Sequence, residues 1–381
     1  MATSWQRGIA ILTGIYVSRM LGLFMVFPVF SLYASELAGA NKTLVGVALG
    51  IYGLSQGLLQ LPCGWLSDRF GRKPVIAAGL LLFVAGSLLA ATATTITMMI
   101  AARAVQGMGA IAAVTLAYAT DITPGEKLGK VMAILGGNIG MAFVLSLIIG
   151  PLVAAWIGVA GLFYLIALIA GLALIASLRL PLVATRPQTA ATGHYDKRQL
   201  MQAAAAIFFL HGVFTATFLV LPPLLVDAGI AKANHWWLYL PANLVALCFM
   251  RVKATPHPLN FGISYLLLAI GTGLLAMPFG AWWLLFALSI YFIAFYRLET
   301  GLPHWVAHIA SPDARGRAMG LYSSAQFLGS FCGGAVAGRL WHDLPPATVL
   351  LPLVAACACA ALLLLKIGKT TTLRAATHSD S

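Results

Sequence analysis

Long apolar runs, each closed by a short polar or glycine- and proline-bearing stretch, recur along the whole chain. Runs of about 20 residues are long enough to cross a hydrocarbon core as helices, and the length of the chain accommodates roughly twelve of them. The expected spans are 8–33, 43–66, 74–94, 96–120, 129–152 and 156–180, then 200–226, 234–252, 259–278, 280–310, 315–339 and 346–366. The longest polar break, 181–199, holds Arg186-Pro187, Gly193 and Asp196 to Arg198, and it reads as a linker between residues 1–180 and 200–366. Residues 367–381 read as a short polar tail. A weak internal repeat supports the division: Gly129-Lys130-Val131-Met132-Ala133 follows Thr123-Pro124, and Gly316-Arg317-Ala318-Met319-Gly320 follows Ser311-Pro312. The pattern predicts an all-α integral membrane protein of twelve transmembrane helices in two pseudo-symmetric six-helix halves.

Composition agrees with that pattern. Hydrophobic residues make up 61% of the 381 and charged residues 9%, with a mean hydropathy of +0.93. An aqueous fold has no use for so much apolar surface. The net charge of +13 invites a nucleic-acid reading, but the position of the cations argues against it. Of 23 Lys and Arg, seventeen fall in the alternate segments that twelve spans place on one side, three (Lys42, Lys232, Arg339) lie opposite, and three (Arg19, Arg103, Arg297) lie within spans. The bias predicts cytoplasmic termini for a multi-pass protein of the bacterial inner membrane. No nucleic-acid partner and no metal site are expected. The five cysteines lack metal-site or disulfide spacings, and no phosphate-binding loop points to direct use of ATP. His304 and His308 stand four apart without the Glu of a zinc-protease motif, so an enzyme is not expected.

The break between the second and third spans reads Gly64-Trp65-Leu66-Ser67-Asp68-Arg69-Phe70-Gly71-Arg72-Lys73. Asp68 and Arg72, four apart, are placed to pair; Gly71 permits a tight bend; and Pro74 suits the first position of the next helix. Topology alone accounts for the cations but not for the ordered string. That string resembles the loop 2/3 signature of the major facilitator superfamily, which implies a twelve-helix secondary transporter. Arg103-Ala104-Val105-Gln106-Gly107-Met108-Gly109-Ala110 resembles the fourth-span signature of the superfamily's drug and proton antiporter branch. Gly150-Pro151 resembles that branch's fifth-span motif, although Ser146 and Ala154-Ala155 stand where glycines are usual. Arg19-Met20-Leu21-Gly22, Gly50-Ile51-Tyr52-Gly53-Leu54 and Gln326-Phe327-Leu328-Gly329 extend the likeness to the YajR-like subgroup of bacterial exporters, some of which carry a further soluble domain after the last span.

Each ionisable group inside a bilayer is costly and is therefore a functional candidate. Glu299 is the carboxylate placed well inside a span, and it is the leading proton site. His211 joins it because imidazole changes charge near neutral pH. Arg19 reads either as a structural cation or as a substrate or coupling group. The antiporter resemblance assigns coupling to Arg103. Arg297, two residues from Glu299, faces another direction, and it joins Tyr52, Gln56 and Gln60 of one polar stripe and Tyr322 and Gln326 of another as candidate cavity residues. Gly64, Asp68, Arg69, Gly71, Arg72, Lys73 and Asp121 form a candidate latch on the face that carries the elbow. The expected activity is secondary transport of small amphipathic molecules by a monomer in the lipid bilayer, driven by the proton gradient without any cofactor. A transporter of a defined metabolite such as a siderophore, or a non-transporting receptor on the same fold, are the alternatives.

Overall fold

The computed structural model describes residues 4–181, 193–249, 257–277, 279–311 and 314–379. These form α1 (Ser4–Phe24), α2 (Phe30–Ala34), α3 (Lys42–Phe70), α4 (Arg72–Ala91), α5 (Ile96–Met108), α6 (Ala112–Ile122) and α7 (Gly125–Ser177). Next come α8 (Lys197–Asp227), a short 3-10 turn η1 (Lys232–Asn234), α9 (Trp236–Phe249), α10 (Pro258–Leu275), α11 (Ala281–Ile309), α12 (Arg315–Asp343) and α13 (Pro346–Ser379). Polar side chains fix several starts. Asn41, Thr95 and Asp196 accept from Leu44 N, Met98 N and Gln199 N at 2.9, 3.2 and 3.0 Å, satisfying amides that the helix leaves unpaired. Gln199 also donates its side-chain amide to Asp196, and these bonds hold that carboxyl below its usual range.

Several spans differ from the uninterrupted helices expected. The first breaks between Phe24 and Phe30, where Pro28 removes a backbone donor. The fourth breaks between Met108 and Ala112, where a Cβ on Gly109 would lie 2.4 Å from the Gly79 carbonyl oxygen of α4. The fifth and sixth have no loop between them. They merge in the 53 residues of α7, interrupted only at Gly158, whose φ of 73° is left-handed. The chain reverses there, because Gly150 and Ile166 both lie against α1 within four residues of one another, at Met25 and Gly22. The tail does not leave the last span as a polar coil, since α13 continues to Ser379. Pro74 is the third residue of α4 rather than the first, still within the turn whose amides need no partner. Expected residues 182–192 of the linker and 250–252 of the eighth span lie outside the described residues.

Among the described residues, nine helical segments are long and apolar enough to cross a membrane. Gly158 divides one into two, and α9 and α12 bring the crossings to twelve. The glycines, serines and glutamine of α12 lower its hydropathy, and the helix is wedged between α3 and α8. The backbones approach closely there: a Cβ on Gly46 would stand 2.3 Å from the Gly334 oxygen, and one on Gly329 would stand 2.1 Å from the Phe208 oxygen. The α1–α7 and α8–α13 groups are tied again at the rim remote from the elbow. There Lys232 meets Glu36 at 3.2 Å and the Lys42 ammonium lies 5.4 Å from the Trp341 ring centroid.

Gly329→Ala should therefore lower the unfolding temperature, since overpacking against backbone costs about 1–3 kcal/mol. Gly129→Ala, with nothing within 4 Å of the new methyl, should leave it unchanged or raise it, because alanine is favoured in helices by about 0.5–1 kcal/mol. Thermal unfolding of both in one detergent tests the seam, and equal behaviour of the two variants counts against it.

Candidate functional site

Four helices bring their candidate polar residues to one depth. His211 is fourteen residues into α8, Gln326 eleven into α12, Arg19 fifteen into α1, and Glu299 ten before the end of α11. At 1.5 Å per residue these lie about 15–22 Å from the helix ends on the elbow face, near the middle of a bilayer core. His211 Nε2 stands 2.9 Å from Glu299 Oε2. Gln326 donates its amide to Glu299 Oε1 at 3.2 Å and lies 2.8 Å from the same imidazole nitrogen. The imidazole is buried, whereas 30% of the Glu299 side chain is exposed.

That arrangement is chemically specific, because one imidazole nitrogen faces two partners. When His211 Nε2 carries hydrogen it donates to Glu299, and its contact with Gln326 Nε2 is then donor to donor, while turning the amide over would set the Gln326 oxygen against Glu299 Oε1. When Nε2 is bare it accepts from the Gln326 amide, and its contact with Glu299 requires the proton on the carboxyl group. Tyr16, Tyr265 and Tyr322 lie within electrostatic reach of Glu299.

The α1–α7 group holds a second polar network. Arg19 donates through one Nη2 to Tyr52 Oη at 3.2 Å and to Gln56 Oε1 at 3.0 Å, so two of the three residues in the α3 stripe meet it. Gln60 continues the stripe, buried. Arg103 donates to Gln106, which passes its own amide to Ser87 Oγ at 2.8 Å. The guanidinium of Arg103 lies 5.0 Å from the Tyr52 ring centroid and that of Arg19 lies 5.6 Å from that of Phe83, so aromatic faces provide much of the compensation. Arg297 is not brought to either network. It donates to Ser264 Oγ of α10 at 3.3 Å, on another side of α11 from Glu299.

An aromatic layer escaped the sequence reading. Phe27 and Phe143 of the α1–α7 group meet Phe214 and Phe295 across the interface, with centroids 5.1 and 5.8 Å apart, and Phe143 also meets Tyr296 at 5.9 Å. Phe214 and Phe295 both approach the His211 ring, at 6.0 and 6.1 Å. The layer therefore begins beside the His211–Glu299–Gln326 cluster and continues toward the rim remote from the elbow. Its signal was Phe214 and Phe218 four apart on α8 with Phe292, Phe295 and Tyr296 at helical spacing on α11, a pattern indistinguishable from lipid-facing or core residues without the partner helix.

At the elbow, Arg72 is buried and holds Asp68 at 2.5 Å and Asp121 at 3.1 Å, and it donates to Ser67 Oγ as well. Ser67 donates to Gly64 O, and Gly71 takes the left-handed φ of 95° that separates α3 from α4. Lys73 donates to the carbonyls of Leu178 and Leu180 at 2.7 and 3.1 Å, tying the elbow to the end of α7. Arg69 lies over the Trp65 and Phe70 rings and takes no part in that cluster. A separate cavity of about 360 Å³ opens at the remote rim between Pro28, Tyr33 and Glu36 on one side and Lys232 and His235 on the other.

Residues 12–256 match the family model of the Major Facilitator Superfamily. The chain is 36% identical over 340 residues to the inner membrane transport protein YajR of Escherichia coli, covering 85% of this chain and 75% of that relative. It is 32% identical over 156 residues to the class H tetracycline resistance protein of Pasteurella multocida, covering 40% and 38%. The fold superposes on the human organic anion transporter MFSD10 with a TM-score of 0.71 at 17% identity, covering 95% of this chain and all of that one. With its twelve crossings, its elbow and its two interlocked helix groups, the chain belongs to the Major Facilitator Superfamily and is a multi-pass membrane transporter.

Proposed function

We propose that the protein is a proton-coupled exporter of small amphipathic molecules in the bacterial inner membrane, with both termini cytoplasmic, acting as a monomer without a cofactor. The His211–Glu299–Gln326 cluster carries this reading. It joins an ionisable pair to α12, the helix that packs against both α3 and α8. A proton on His211 Nε2 breaks the hydrogen bond that Gln326 can otherwise give it, so the charge state of the pair bears on α12 and on the seam between residues 1–180 and 200–366. These two halves, joined by 181–199, rock about the seam in alternating access. The aromatic layer serves as the closed side of the path in the state described. Relatives named for inner-membrane transport and for tetracycline resistance support the assignment to efflux.

The elbow supplies the complementary latch. Asp68, Arg72 and Asp121 form one cluster, and Arg69 and Lys73 flank it with further positive charge. When the remote rim opens, the elbow face closes, and Asp68 then meets the amino end of α12, whose partial positive charge favours a carboxylate. A contact made in one state biases the equilibrium toward that state.

Two outcomes test the proposal. In proteoliposomes, Glu299→Gln should abolish flux of a fluorescent amphipathic compound driven by an imposed pH gradient while counterflow exchange continues, because the substitution keeps size and removes the titrating proton. His211→Gln should shift or flatten the pH profile of that flux; an unaltered gradient response in both variants excludes the pair. For the latch, Asp68→Asn should raise labelling of single cysteines on the elbow rim, in a background lacking the native cysteines, with folding unchanged. Identical labelling in variant and parent, with transport retained, reduces the elbow to a topology device.

A further inference from the structure

The interior of the α1–α7 group contains two arginines and no carboxylate. Its acidic residues, Glu36, Asp68, Asp121 and Glu126, all stand at helix ends. Arg19 is 2% and Arg103 0% exposed. Both remain charged at any physiological pH, and a buried cation without an opposite charge is costly. Neutral partners meet only part of the need. Arg19 Nε and Nη1 are buried without a bond, as are Arg103 Nε and Nη2.

The two arginines differ in their surroundings. Arg103 is enclosed by the Tyr52 and Phe30 rings and bonded to Gln106 on its own helix, as befits a structural cation. Arg19 lies among other unanswered polar atoms. Gln56 receives its bond yet leaves Nε2 free, and the hydroxyls of Tyr322 and Ser324 on α12 are equally without partners. The seam sets Tyr322 and Ser324 level with Gln56 and Gln60, since Gly57 packs on Ser324 and Gly320 on Leu61. Unanswered polar groups of both halves therefore lie at one level: the Arg19 Nε and Nη1 N–H groups and the Gln56 amide on one side, and the Tyr322 and Ser324 hydroxyls on the other.

We propose that Arg19, assisted by Gln56 and Tyr322, anchors the carboxylate of the transported molecule, so that the cargo is a small organic acid with an apolar body. Nη2 belongs to both two-point forks of the guanidinium and already donates to Tyr52 and Gln56, so a carboxylate takes a fork by displacing one of those neutral acceptors, an exchange that its negative charge favours. The Phe27–Phe214 layer, next to His211, is the apolar surface for the rest of the molecule. This assignment rests on the transport reading above for the central path but not on proton coupling, and it deepens that reading by naming the substrate class.

The test is thermal unfolding of the purified full-length protein in detergent with 2-naphthylacetate, 4-phenylbutyrate and octanoate, each compared with its neutral amide. Saturable stabilisation by one or more acids and none by the matching amide is expected. Arg19→Gln should weaken that response roughly ten- to hundredfold in apparent affinity, the scale of hydrogen bonds to a charged group. Arg19→Lys, which keeps the charge but loses the fork, should fall between. Tyr322→Phe should weaken it several-fold, and because that hydroxyl makes no bond within the protein, the variant retains every native contact and guards against a folding artefact. Equal stabilisation by acid and amide, no response to any acid, or undiminished acid binding in both Arg19→Lys and Tyr322→Phe overturns the proposal. The assay contains no pH gradient, so its result is independent of whether Glu299 carries a coupling proton.

Discussion

The close approach of α12 to α3 on one side and α8 on the other is the constraint on which the remaining structure depends. On the α3 side, which lies between the halves, a Cβ on Gly46 would stand 2.3 Å from the Gly334 oxygen, so the helices meet backbone to backbone. Such a contact has little compressible side chain in it. It is either made or separated, which suits an interface that must exist in two discrete arrangements better than one that deforms by degrees. The same constraint explains the composition of α12. A helix that crosses a membrane at the centre of a bundle meets protein on most sides, so glycine, serine and glutamine carry no lipid-exposure penalty there and allow the approach.

A second consequence concerns depth. Because the seam holds α3 and α12 in register, the polar stripe on α3 and the residues Tyr322 and Gln326 on α12 come to the same level as Arg19 and Glu299. Polar groups at that depth have no bulk water to fall back on, so each is answered by protein or reserved for something that arrives. His211, Glu299 and Gln326 answer one another. Arg19 is answered only in part. The two halves thus differ in kind. The α1–α7 half holds buried arginines, and the α8–α13 half holds a carboxyl group hydrogen-bonded to an imidazole and an amide.

Much of this was legible from residues alone, and for physical reasons. The period and length of apolar runs report membrane crossings because the bilayer sets both, and the elbow was readable because its chemistry lies within ten consecutive residues. Intramembrane Glu299, His211 and Arg19 stood out because each is expensive. His211 and Glu299 were both candidates, but the contact of Gln326 with each of them was not legible, since it depends on which face of α12 meets α8. The aromatic layer was hidden for the same reason: Phe143 and Phe214 are far apart in the chain, and nothing local distinguishes a phenylalanine facing another half from one facing lipid. The breaks after Phe24 and Met108 were underestimated because Pro28 and Gly109 act through the neighbouring helices that tolerate them. Gly158 was missed as a turn because one left-handed residue suffices where a polar loop was expected.

Separating fixed cation from titrating acid has an electrical consequence. If an organic acid leaves the cell as its carboxylate while one proton enters, one negative charge moves outward and one positive charge moves inward. Both displacements run with an inside-negative potential, at about 2.3 kcal/mol for each charge per 100 mV, so such a cycle draws roughly 5 kcal/mol per 100 mV from the membrane potential. A neutral or cationic cargo exchanged for the same proton gains at most half of that or nothing. Arg19 would also keep the empty path electrically favourable to an anion, whereas protonation of Glu299 removes the one interior negative charge that repels it. Coulomb attraction between the two occupants would by itself carry both the same way, so exchange requires that Glu299 release its proton before the anion is taken up for export. Coupling of that kind needs no direct contact between cargo and proton. It needs only that both charges lie at one depth, in low dielectric, across the interface that α12 controls.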